Sequence, residues 1–206
     1  MRVIYLSICL LFSTIWAQNQ KNLGELQTQK DRFEKAKVVV SNANRPAATK
    51  LTISQATIKA INEARSKRQI CSEPVNPLRW NQTLYKYAKE HTIDMAITKK
   101  LSHDGSGTKT DITAKVLGLN RGSHFYERVN QKVNDRTILS GELVIRSDIY
   151  SLKNPKELIN YWIKIPNDCK VIMDPRFSDV ALAKVVDNKN KKAYWTLLLA
   201  GSRAKK

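Results

Sequence analysis

Acidic side chains are few relative to basic ones in this chain: 18 Asp and Glu stand against 36 Lys and Arg over 206 residues, for a formal net charge of +18. Glycine and proline are also few, 7 and 6, which excludes collagen-like and Pro/Gly low-complexity architectures. No period of about 20 to 50 residues recurs, so a solenoid is excluded as well. No interior run reaches the roughly 18 apolar residues that a membrane span requires. Hydrophobic residues make up 42 % and charged residues 26 %, ordinary globular usage that can build a sizeable core. One basic domain is the expectation.

Residues 1–17, MRVIYLSICLLFSTIWA, place one Arg before an apolar stretch and small residues before polar Gln18. This is the pattern of a cleaved secretory signal, too short for a typical membrane anchor. Cys9 would leave with it, so Cys71 and Cys169 remain in a compartment that permits disulfides. Two cysteines allow one intramolecular bridge or two free thiols. A bridge over so long a loop contributes about 4–5 kcal/mol in the chain-entropy model. Residues 18–51 are polar and Lys-rich and read as a basic tether, with one marginal helix around Leu23–Val40.

From Thr52 or Ser54 a helical period begins, with Ile53, Ala56, Ala60, Ile61 and Ala64 at steps of three and four. After Cys71 and a Pro-broken connection, Asn81 suits the N-cap of a second helix whose apolar stripe is Leu84, Ala88, His91 and Met95. Asn81 also opens a glycosylation sequon, the weaker of its two readings. A loop SHDGSG, a short helix near Thr110–Leu119 and a polar excursion to about Asp135 follow. Asn154, Pro155 and Glu157 read as N-cap, first-turn Pro and reach-back Glu of a helix that Pro166 ends. Strands are expected at Glu142–Ile145, Val180–Val186 and Ala193–Ala200, the last two as an antiparallel hairpin. Because strands and helices do not alternate regularly, the order suits an α+β layered sandwich better than a doubly wound sheet.

The strings INEARSK, PLRWNQTL, YAKEHTIDMA, LSHDGS, SGEL, NPKELINYW, DCKVIMDPRF and YWTLLLAG occur in one order between Thr52 and Ala200. Together they resemble the CAP superfamily, the secreted domain shared by cysteine-rich secretory proteins, antigen 5 and pathogenesis-related proteins, and within it the short bacterial SCP-like members. The resemblance implies a three-layer α-β-α sandwich over residues 52–202, with a small, mainly antiparallel sheet and a basic tail at 203–206. It also implies a bridge between Cys71 and Cys169. The family cleft usually holds two His and two Glu able to bind a divalent metal. The first His falls on His103 and the first Glu on Glu142. The second Glu position falls on Ile165 and the second His on Asp168, while the Asn that usually follows the Glu is Leu143.

One His and one Glu hold zinc weakly unless Asp168 supplies a third ligand. His103 and Glu142 are therefore open to three readings: a hydrogen-bonded cleft pair, a weak metal pair, or an acid-base pair with no activated nucleophile beside it. His91, on the apolar stripe, reads as a core residue rather than a ligand. His124 carries no motif. Trp80, Trp162 and Trp195 read as packing anchors. The basic field attracts polyanions, and for an exported protein these are envelope polymers, lipids or host glycans; specific nucleic-acid binding is not expected. The alternative is that the charge only keeps the protein soluble. The expectation is a non-catalytic binding module on an anionic or lipidic surface, secreted or periplasmic. Its rival is a metal-assisted hydrolase of extracellular or envelope polymers.

Overall fold

The computed structural model describes residues 51–202 other than 133, 135 and 137. The expected signal segment 1–17, residues 18–50 of the tether with its marginal helix, and the tail 203–206 lie outside the described residues.

Thr52 opens α1 (Ile53–Arg65): its hydroxyl accepts the Gln55 N–H, and the Gln55 side chain reaches back to the Thr52 N–H, a full capping box. Two residues, Arg79–Trp80, then form β1. Asn81 caps α2 (Gln82–Thr98), its side-chain oxygen accepting from the N–H groups of Thr83 and Leu84. The short helix expected near Thr110–Leu119 is α3 (Ile112–Val116), capped by Asp111. The polar excursion contains an unexpected helix, α4 (Phe125–Asn130). Strand β2 spans Ile138–Asp148, longer at both ends than its sequence signal.

Helix α5 (Pro155–Trp162) begins as expected, with the Asn154 side chain accepting from the Glu157 N–H. The reach-back differs in detail: the Glu157 carboxylate accepts from the Lys153 N–H and from the Asn154 side-chain amide. Pro166 does more than end this segment. It occupies the first turn of a further helix, α6 (Pro166–Ile172), where its missing N–H costs nothing. Strands β3 (Asp179–Asp187) and β4 (Lys192–Ser202) form the expected antiparallel hairpin.

The sheet order is β1-β3-β4-β2, with only β1 and β3 parallel. Both faces are covered, which explains why β3 and β4 read as near-continuous apolar runs. Val180, Leu182, Leu197 and Leu199 pack in one core with Ile61 of α1 and Leu158 and Trp162 of α5. Ala181, Ala183, Leu198 and Ala200 face the other way, against Leu84 and Ala88 of α2. The α-β-α sandwich follows from this alternation. On the α2 face the Thr92 hydroxyl donates to Thr196 of β4 at 2.8 Å, satisfying two buried polar groups. Trp162 and Trp195 are buried as anchors, whereas Trp80 is half-buried, tilted on Tyr85 and donating to the Gln82 side chain.

Cys71 and Cys169 are bonded to each other. The bridge ties the connection before β1 to α6 on the α1/α5 side of the sheet.

Candidate functional site

Strand β2 alternates, so Leu143 enters the α1/α5 core while Glu142 turns to the opposite face. There its carboxylate is fully buried and meets three elements. His103, on the loop after α2, donates Nδ1–H to Glu142 Oε1 at 3.0 Å. Arg128, on α4, donates from Nη2 to Glu142 Oε2 at 2.8 Å. His91, on α2, places Nε2 at 3.9 Å from Oε1 and donates it to the Ser102 carbonyl at 2.8 Å.

Each charge state has a cause. Burial works against the Glu142 carboxylate, but Arg128 and then the His103 hydrogen bond outweigh it and hold the group below the ordinary carboxyl value. The hydrogen bond to Glu142 lifts His103, against partial burial. Burial first, and then the Arg128 charge, push His91 down and keep it neutral, with Nδ1 unpartnered among the described residues. His91 is a core residue, as its place on the stripe implies.

Arg128 is what the sequence reading missed. It is buried, and beyond Glu142 it donates to the His103 carbonyl at 2.7 Å and the Ser123 carbonyl at 2.8 Å. One guanidinium thus fixes the His103 loop, the start of α4 and β2 together. Its neighbour Glu127 is likewise buried, and hydrogen bonds from Arg121, then from backbone N–H groups of His124 and Asn134, bring it down to about 2. His124, motif-free in the sequence, caps α4, hydrogen-bonds Asp104 at 2.7 Å and stacks on Tyr126.

Above Glu142 lies a cleft of about 550 Å³. Leu139, Val171 and Phe177 give it apolar walls, and its rim carries His103, Lys170 and the Arg176–Asp174 ion pair at 2.6 Å. Gly141 is needed here, because a Cβ at that position would come within 2.8 Å of the Phe177 ring.

His103 and Glu142 are therefore joined by a hydrogen bond, whereas Asp168 lies within reach of the His103 charge without being bonded to it. Asp168 sits in the first turn of α6, raised by burial with the His103 charge opposing, and makes no hydrogen bond to either residue among those described. No group of three or more His, Cys, Asp or Glu side chains converges as a metal cage among the described residues. The donor set does not suit a dication, since both Glu142 oxygens are taken and one faces a guanidinium at 2.8 Å.

The chain matches no curated protein sequence. Among solved structures it is similar to an outer surface protein from Borrelia burgdorferi, with 16 % identity, a TM-score of 0.52, and coverage of 71 % of this chain and 90 % of that one. An extracellular protein containing an SCP domain from Bacillus anthracis gives 17 % identity and a TM-score of 0.49, over 75 % of this chain and 45 % of that one. Both are bacterial, and the first shows the same fold. The model of the cysteine-rich secretory protein family, CAP, matches residues 58–199, and the chain belongs to that family.

Proposed function

We propose that this protein is an exported, non-catalytic binding module that associates with anionic polymers, lipids or other components of an envelope or host surface. The observation that carries the reading is the Arg128–Glu142 pair: the cleft carboxylate is neutralised from within the chain, and among the described residues no activated nucleophile is hydrogen-bonded to the His103 ring. The apolar-walled cleft with Lys170 at its rim and the net charge of +18 supply attraction for anionic, partly apolar ligands. Export is supported by the Cys71–Cys169 bridge, which persists in oxidising surroundings. Among the described residues no helix is long and apolar enough to cross a membrane.

Co-sedimentation with isolated envelope fractions and with lipid vesicles, at low and high salt, tests the association. Capture at low salt that weakens at high salt is expected; binding to none, at either salt, overturns the reading.

One observation favours the hydrolase alternative. His103 is 58 % exposed while its Nδ1 is bonded to a buried carboxylate, as in an oriented acid-base pair. Zinc calorimetry separates the two readings: equal heats for wild type and His103→Ala are expected here, and a zinc site lost in the variant would favour metal-assisted chemistry.

A further inference from the structure

The outward face of α2 carries side chains that the fold does not use. Lys86, Lys89, Ile93 and Ile97 recur along one stripe, opposite the buried Leu84, Ala88 and Met95. Glu90 Oε1 accepts the Thr113 N–H at 2.6 Å and so seats α3 against this stripe. Ile112 and Val116, one turn apart on α3, extend it. Ile97, Ile112 and Val116 are 58 %, 48 % and 69 % exposed, aliphatic surface on α2 and α3 that neither core covers.

Charge decides what covers it. Lys86, Lys89 and Lys109 line one depression together with Ile93, Ile112 and a single carboxylate, Glu90, and Lys100 and Lys115 stand exposed nearby in the chain. The carboxylates of these elements are engaged by hydrogen bonds within the chain. Glu90 is engaged by Thr113, Asp94 accepts from Ser106 and Thr110, and Asp111 accepts from Ser123 and Ala114. The face is therefore aliphatic and predominantly cationic, its one lining carboxylate, Glu90, held by the Thr113 N–H. A second copy carries the same net charge of +18, and the chain's own segment 18–50 is itself Lys-rich, so both are electrostatically disfavoured occupants. Lysines around aliphatic residues match anionic headgroups over acyl chains.

We infer that the α2–α3 face docks on an anionic phospholipid bilayer, with Ile93, Ile97, Ile112 and Val116 entering the headgroup boundary and the lysines pairing with lipid phosphates. The inference rests on the surface-association reading above and assigns it a face away from the cleft.

Sedimentation of the purified chain with vesicles of phosphatidylglycerol and phosphatidylcholine, against phosphatidylcholine alone, tests it. Binding to the anionic vesicles alone, released at about 0.5 M salt, is expected. Lys86→Glu/Lys89→Glu and, separately, Ile97→Asp/Val116→Asp should each lower partitioning by about tenfold or more. Lys59→Glu/Lys156→Glu makes the same charge change as the first pair on the α1/α5 layer and should retain most binding. All six positions are exposed, and melting curves identify any variant that fails to fold; Ile97→Ser/Val116→Ser then replaces the aspartates. Equal losses in the control and the face variants, or full binding by the aliphatic variant, overturn the inference. Capture by envelope polymer without vesicle binding overturns it and leaves the association reading standing, whereas binding to neither removes both.

Discussion

With both oxygens of Glu142 engaged, a fully buried carboxylate depends on one guanidinium for its charge balance. Arg128→Met leaves that charge buried with only a histidine beside it, and should cost about 3–5 kcal/mol in urea unfolding. Adding Glu142→Gln should recover part of the loss, because a neutral amide does not need the cation. If the single variant costs no more than a surface substitution, Arg128 is not the counter-charge. The two histidines of the site then titrate in opposite senses. His103 is raised in the fold, so its contribution is complete below the ordinary value of 6.5 and is lost as pH rises through the higher folded value. His91 is lowered, so its contribution is present above 6.5 and declines as pH falls below it, when the unfolded chain takes up the proton first. Urea midpoints between about pH 5 and 8 should therefore lose their alkaline-side decline in His103→Ala and their acid-side decline in His91→Gln. A second acid-side loss belongs to Glu127, running from 4.5 down towards about 2.

Helices α1 and α2 and the β3–β4 hairpin were legible because caps, period and apolar runs all agree in them. Helix α4 was not, for a physical reason: its buried residues are Glu127, Arg128 and Val129, and two of these three count as solvent-facing until their partners are known. Since Arg128 completes the site, the half of the site that lay in the SH and GE strings could be read while its counter-charge could not. Helix α6 is short and opens on the proline that reads as a stop, and two-residue β1 gives no period at all. The small residues of β3 carry a prediction at this scale. Ala181 and Ala183 let α2 approach the sheet closely, so Ala181→Leu should destabilise by about 1–3 kcal/mol through overpacking, while Asn81→Ala should cost about 1 kcal/mol by uncapping α2. Both are checked by denaturant midpoints, and an unchanged midpoint for Ala181→Leu would mean the layer has room to spare.

At the scale of the whole molecule, the Cys71–Cys169 cross-link joins positions 98 residues apart and encloses β1, α2, α3, α4, β2 and α5 in its loop. Reduction should lower stability by about 4–5 kcal/mol on the chain-entropy account, seen as a lower melting temperature under a thiol reductant. The two sides of the cleft feel that loss unequally: Lys170 and Val171 line it from α6, which carries Cys169, whereas Arg128 and Glu142 meet on the other face of the sheet from the bridge. Their pairing has a consequence for the proposed export. The positive partner of Glu142 is built into the polypeptide, where no chelating agent can strip it and no shift in mineral content can swap it. The pocket floor of this protein should accordingly keep one shape in fluids as different as brine and dilute buffer.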